Sequence, residues 1–490
     1  MGFFNLLADV NIAVYGETYS VYLNWIGKII RFLIEGVGSV GIGIILFSLV
    51  LKIIVLPFDV YQRVAMRKQN LKMKEQQARM EKLQKQYAND KNLYNQKVME
   101  MYKENGISMF SSCLPMILSM VIFIVAINAF NSYSQYSNLQ NYNTIVNTYD
   151  ARIEMYCPEL GAETTSVEKI TVENEEGEAI ELLRVEDSRP DKFIYFTVPY
   201  DATYAENDYA YIKNIKKENR LHTINVAKAE QFEEINAKAE ELLAAAKEED
   251  GLTKELALKN AIVFFADQDV QNAYDTEIKG RMGFLWIKNI WATDASYKHP
   301  IESNASNFFN EVQREKLNVG GSKISLGNMK KYTNAYTTEV YNEVTKSLSA
   351  EKNAPNGYFV LIVLSIGTIL LQQIVSMRSQ KEQQKYATVD GQGATQQKTM
   401  LIVMTGMFAI FSFMYSSAFS IYMITSNIFS LLSTLIINKL VDTNMRKKEE
   451  AAEKAKNDRR FTHRINAAYE AGKQASKEEK KKKNSDTENK

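Results

Sequence analysis

The sequence predicts an all-α polytopic membrane protein with five transmembrane helices, a cytoplasmic helical hairpin and a large extracytoplasmic α+β insert. Three observations carry that prediction. Apolar runs recur at 38–58, 110–130 and 358–377, and 400–441 is apolar for 42 residues, enough for two crossings; one crossing takes roughly 20 such residues. Charge is segregated. Residues 131–356 hold 25 Lys/Arg against 37 Asp/Glu, whereas 59–110 hold 11 against 6 and 441–490 hold 15 against 10. The formal net charge of +1 and the mean hydropathy of -0.28 average over these blocks and hide the membrane half. Lastly, the polar segments carry no catalytic motif.

Residues 1–37 begin MGFFNLLADV, without the basic n-region of a signal peptide. Leu6 stands where a myristoylation signal wants Ser or Thr. In 20–35, Trp25, Ile26, Ile29, Ile30, Leu33 and Ile34 fall at helical spacing with Lys28, Arg31 and Glu35 largely between them. Such an amphipathic helix suits a membrane–water interface. The first span, 38–58, carries Lys52 in its second half and ends at Pro57 and Asp59. A charge at mid-helix costs about 2.5–3.5 kcal/mol on insertion scales, so Lys52 needs compensation.

Residues 59–109 are basic, with an incomplete apolar stripe through Leu71, Met73, Met80, Leu83 and, beyond Asn89-Asp90, Leu93, Val98 and Met101. Asn105-Gly106 closes the pattern as a C-cap, and a two-helix hairpin follows. The second span, 110–130, tolerates Pro115 in its first turns. Within the 131–357 insert, 150–220 alternates like strands, with turns at Glu176-Gly177 and Arg189-Pro190, and 223–249 and 252–279 read as helices broken at Asp250-Gly251. Its carboxylate pairs, Glu233-Glu234 and Glu240-Glu241, read as solvated helix faces. After the third span, 358–377, comes a short basic loop, 378–399. Spans 400–416 and 417–440 meet in a tight turn around Ser412 to Ser420. The 441–490 tail, basic through Arg459-Arg460 and Lys480 to Lys483, reads as a disordered, solvated segment, because its acids nearly keep pace with its bases. Contact with ribosomal RNA or anionic lipid is the alternative for that tail. The positive-inside rule places the basic loops and the tail in the cytoplasm, and the N-terminus and insert outside.

Several chemistries are excluded. Cys113 and Cys157 define neither a disulfide framework nor a metal spacing, three histidines include no H-E-x-x-H, and no P-loop occurs. No metal, cofactor or DNA partner is expected.

Five stretches, in order, carry a family resemblance. LVLKIIVLPFDVYQ, around Lys52, is similar to a basic residue, usually Arg, followed by apolar residues and Leu-Pro. Cys113-Leu114-Pro115 through Ser119-Met120, with Ile122-Phe123, is similar to C-L-P-x-L-I-Q-x-P-I-F. Phe284-Leu285-Trp286-Ile287-Lys288-Asn289 resembles F-L-W-x-x-D-L, and Leu371-Gln372-Gln373 matches L-Q-Q. Phe419-Ser420-Ile421-Tyr422-Met423 through Ser426-Asn427, then Ile436-Ile437-Asn438-Lys439, looks like G-L-S-L-Y-W-x-x-S-N and I-I-N-K. These patterns are those of the YidC/Oxa-type membrane protein insertases, which the chain resembles over its membrane half. It departs from them where Lys52 replaces arginine, Ser119 glutamine, Val121 the second proline, Ser416-Ser417-Ala418 P-A-G and Met423 tryptophan. The 134–282 stretch is also far longer than the usual connection.

The resemblance implies a bacterial plasma-membrane insertase and chaperone whose five spans enclose a hydrophilic groove, open to the cytoplasm and closed outside. Nascent membrane proteins would enter it without nucleotide hydrolysis; the Sec translocon, a translating ribosome and membrane lipids are the implied partners. By family position Lys52 is the groove cation; on residues alone, a lysine snorkelling to the interface fits equally. Ser119, Gln372, Gln373, Tyr422, Ser426 and Asn427 are candidate groove-lining polar residues, each equally suited to an interhelical hydrogen bond. Arg63, Arg67, Lys68, Lys72 and Lys74 form the expected basic surface of the hairpin. A secondary transporter or channel with an intramembrane lysine is the competing class, although the halves show no repeat. An enzyme using the outer domain has no constellation to support it.

Overall fold

The computed structural model describes residues 10–14, 17–21, 23–106, 114–155, 164–173, 179–187, 193–196, 232–247, 251–313, 316–319, 322–329, 333, 335–379 and 392–487. In chain order the first elements are β1 (Val10–Val14), β2 (Glu17–Val21), α1 (Trp25–Val37), α2 (Val40–Gln86), α3 (Lys91–Glu104) and α4 (Leu114–Glu154). The insert supplies β3 (Thr164–Glu173), β4 (Ala179–Asp187), β5 (Phe193–Phe196), α5 (Glu233–Ala245) and α6 (Lys254–Ala273). Then come α7 (Ala305–Val312), β6 (Lys316–Val319), β7 (Ser322–Ser325) and α8 (Thr338–Val344). The chain finishes with α9 (Val360–Ser379), α10 (Gln392–Met414) and α11 (Ser417–Thr487).

The described residues are mostly helical. Among the described residues three helices are long and apolar enough to cross a membrane: Val40–Gln86, Val360–Arg378 and Ser417–Val441; Thr405–Met414 is shorter. The start of the second expected span, including Cys113, lies outside the described residues, as do Cys157, the turns at Glu176-Gly177 and Arg189-Pro190, and most of the 378–399 loop.

The chain divides into two units. The first comprises Met1–Leu51, Leu118–Leu370 and Ile402–Ser426; the second comprises Lys52–Ile117, Leu371–Leu401 and Asn427–Lys490.

In the first unit, α4 supplies the central stripe. Tyr133, Tyr136, Leu139, Tyr142, Val146, Tyr149 and Ile153 recur at three- and four-residue steps and are all buried, as one face of a helix requires. Arg152, near the end of that stripe, grips Asp269 of α6 with two hydrogen bonds of 2.7 and 3.2 Å. The 223–249 and 252–279 readings correspond to α5 and α6, with Gly251 between them at a φ of 57°. Helix α6 continues through a π-helical turn, Tyr274–Ile278, to Met282. Strands β3, β4 and β5 form an antiparallel meander.

A second sheet has the order β1-β2-β6-β7, so an N-terminal hairpin joins strands from the insert, with Ser20 opposite Asn318 and Val21 opposite Leu317. The sequence reading held no strands before α1. VNIAV and ETYSV do alternate, and their Ile12, Val14, Tyr19 and Val21 are buried. Helix α1 starts on Asn24, whose side chain accepts from Gly27 N at 2.7 Å, and ends on Gly38 at a φ of 74°.

A short loop, 284–294, ties together the start of α9 and the turn between α10 and α11. Asp294 accepts from the amides of Tyr358 (2.7 Å) and Leu361 (2.6 Å). Ser417 N and Ala418 N donate to the carbonyls of Ala292 and Ile290, both at 2.9 Å. Asn356, fully buried, receives Asn289 N at 2.7 Å and donates to the carbonyls of Asn289 and Thr293. A Cβ at Gly357 would collide with the Asp294 carboxylate, which explains glycine there.

In the second unit, α2 folds against α3. Asp90 caps α3 by accepting from Asn92 N and Leu93 N, and Met73, Met80, Met101 and Tyr102 form a small buried core. Helix α2 runs unbroken from Val40 to Gln86 with Pro57 inside it. Pro57 removes one helical hydrogen bond without ending the helix. The tail, expected to be disordered, is helical to Thr487. Its Ala, Glu and Lys are strong helix formers, and Arg446 pairs with Glu450 one turn on at 3.5 Å.

Candidate functional site

The second unit brings polar side chains of α2 and α11 together along both helices. Lys52, Asp59 and Arg63 are seven and eleven residues apart, which at 100° per residue stacks them on one face of α2. Ser430, Thr434 and Asn438, four apart, form the matching stripe on α11. Lys52 Nζ donates to Ser430 Oγ at 3.0 Å. Arg63 donates through Nη2 to Thr434 Oγ1 at 2.6 Å and through Nη1 to Asn438 Oδ1 at 2.7 Å. Thr434 Oγ1 donates to Ser430 O at 2.6 Å, closing the ladder.

The charge balance follows from these partners. Both cations are held by neutral oxygens, and Asp59 is the acid whose charge acts on each. Two cations against one carboxylate leave the ladder with a net positive charge. Hydroxyl and amide oxygens replace the water that Lys52 and Arg63 would lose, without cancelling that charge. Beside Arg63, Gln62 is buried and its Nε2 has no hydrogen-bond partner among the described residues.

Of the other expected residues, Gln372, Gln373 and Asn427 belong to this unit and are half-buried. Tyr422 and Ser426 belong to the first unit, where both are buried and hydrogen-bonded to each other. The Ser119 side chain lies outside the described residues. On the hairpin, Lys68, Lys72 and Lys74 are exposed, with Lys72 donating to Asn105 O at 3.2 Å; Arg67 is half-buried. Arg63, expected on that basic surface, sits instead in the ladder. Sequence reasoning missed Asp59, Ser430 and Thr434 as site residues. The available signal was the four-residue recurrence of hydroxyl and amide side chains in an apolar helix.

The apolar helices are those of a membrane protein, and a charged ladder joins two of the long ones. The family described as 60Kd inner membrane protein matches residues 32–170 and 261–446, most of the chain, and the chain belongs to that family. The gap, 171–260, falls in the insert. Among relatives called membrane protein insertase YidC, the protein of Caldanaerobacter subterraneus is 37% identical over 105 residues, 21% of this chain and 48% of the relative. That of Fusobacterium nucleatum is 38% identical over 86 residues, 18% of this chain and 40% of the relative. That of Enterococcus faecalis is 36% identical over 110 residues, 22% and 38%. The chain thus spans less than half the length of each of these relatives. No solved structure matches. Family and apolar helices together support a bacterial inner membrane protein.

Proposed function

We propose that this protein inserts nascent membrane proteins, using the Lys52–Asp59–Arg63 ladder as the charged wall of a hydrophilic groove. The observation that carries the proposal is the net positive ladder, held by neutral oxygens, in a chain whose relatives are called membrane protein insertases. Five spans, with the N-terminus and the 131–357 insert outside and the hairpin and tail in the cytoplasm, complete it.

The physics needs no nucleotide. A client must carry a short polar or acidic segment through hydrocarbon, and a wet cavity holding positive charge shortens that crossing and attracts carboxylates. The client's own apolar helix then partitions into lipid, at about -0.3 to -0.6 kcal/mol per central Leu, Ile, Phe or Val. The hairpin's Lys68, Lys72 and Lys74 are placed to receive clients, and the tail helix to meet a ribosome or anionic lipid. Engagement of the Sec translocon belongs to the same proposal.

A depletion-and-rescue assay tests it, scoring insertion of a single-span reporter with an acidic outer tail. Wild type and Lys52→Arg should rescue and Lys52→Leu should not. Rescue by all three would remove Lys52 from the mechanism, and no rescue by well-expressed wild type would favour a transporter.

A further inference from the structure

Residues of the first unit alone line a cavity of about 600 Å³. That volume lies within the range of ligand sites and matches a peptide of a few residues rather than an ion. Asn141 of α4 is 5% exposed and lines it, yet neither Oδ1 nor Nδ2 has a hydrogen-bond partner among the described residues. Neighbouring buried polar groups are satisfied: Trp291 Nε1 donates to Ser137 Oγ at 3.1 Å, and Asn289 Nδ2 to Pro300 O at 2.9 Å. A buried carboxamide without partners is costly. Its paired donor and acceptor complement the C=O and N–H of a peptide group.

Two acids and several aromatic rings stand among the other lining residues. Glu302 and Glu311 line the cavity, as do Lys298 and His299. Glu311 keeps solvent access although protein surrounds it on most sides; that burial, and then Glu302, pushes its carboxyl above the usual range. Tyr142 and Tyr341 stack with centroids 5.4 Å apart, offering a surface for an aliphatic stem or a cation.

We propose that this cavity binds a short extended peptide segment bearing a lysine or arginine, its backbone amide on Asn141 and its cation on Glu302 and Glu311. The same acid pair repels anionic lipid headgroups. Such binding is independent of whether the chain inserts proteins.

The test uses the full chain in phosphatidylcholine nanodiscs and two N-acetylated, C-amidated tetrapeptides, Ala-Lys-Phe-Ala and Ala-norleucine-Phe-Ala, titrated calorimetrically. The lysine peptide should bind about tenfold more tightly than its neutral counterpart. Glu311→Gln should abolish that preference. Asn141→Leu should weaken both peptides about fivefold while raising the melting temperature, because it deletes an unpaired buried amide. Absence of binding, equal affinity for both peptides, or indifference to Glu311→Gln would overturn the proposal. So would a co-purified lipid, seen by native mass spectrometry, that Asn141→Leu releases. Glu311→Gln, at a solvent-accessible position, keeps the test decisive should Asn141→Leu fail to fold.

Discussion

Asp294 is fully buried, and its carboxylate receives the amide N–H groups of Tyr358 and Leu361 while its backbone carbonyl receives that of Phe359 at 3.1 Å. These are orphan donors at the start of α9, and a charged acceptor there also meets the positive end of the helix dipole. The capture holds Phe359 at a φ of 65°, a region costly for a side chain with a Cβ. Asp294→Ala should therefore lower stability by about 3 kcal/mol, measured by thermal unfolding in detergent. Asp294→Asn, which keeps one acceptor, should lose less. At this scale the sequence was partly legible. Lys52 stood out as a charge in an apolar run, whereas nothing in the sequence pairs Arg63 with Asn438, 375 residues away.

Among the elements, α6 and α8 bring Asp267 within electrostatic reach of Glu343, and Lys346 acts on both. Burial pushes Glu343 above its ordinary value near 4.5, Asp267 adding to the shift and the hydroxyl of Tyr149, at 3.1 Å, opposing it. Burial likewise raises Asp267 from near 3.8, and Lys346 opposes that. A raised carboxyl binds its proton more tightly folded than unfolded. Its stabilisation is full below the unfolded value and fades as pH climbs through the folded one. Melting temperature should thus decline as pH rises above the ordinary carboxylate range through these groups, and Glu343→Gln should flatten the decline. An unchanged profile in that variant would show that another group dominates. Legibility differed between elements for physical reasons. Caps and breakers announced the α2–α3 hairpin, the α5–α6 break and the α10–α11 turn, because Asp90, Gly251 and the serines near 417 act locally. Strands β1 and β2 went unread: five-residue alternations are short, and β2 pairs with a strand nearly three hundred positions distant.

For the whole molecule, the proposed orientation is open to direct measurement. With Cys113 and Cys157 replaced, a cysteine at Leu256, 41% exposed on α6, should react with an impermeant maleimide added to intact cells. One at Tyr469, 68% exposed on the α11 tail, should react only after permeabilisation. The reverse pattern would invert the topology and remove the cytoplasmic groove. Total composition conceals the apolar runs and the block-wise charge on which that orientation is proposed.

The pairing of Ser20 with Asn318 also sets a clock. Strand β2 leaves the ribosome 298 residues before its partner exists, about 15–60 s at ordinary synthesis rates. For that interval the N-terminal hairpin waits with one edge unpaired, an invitation to pair with the wrong strand. Maturation of the β1-β2-β6-β7 sheet therefore falls in the later part of synthesis, completed only after β6 and β7 have emerged.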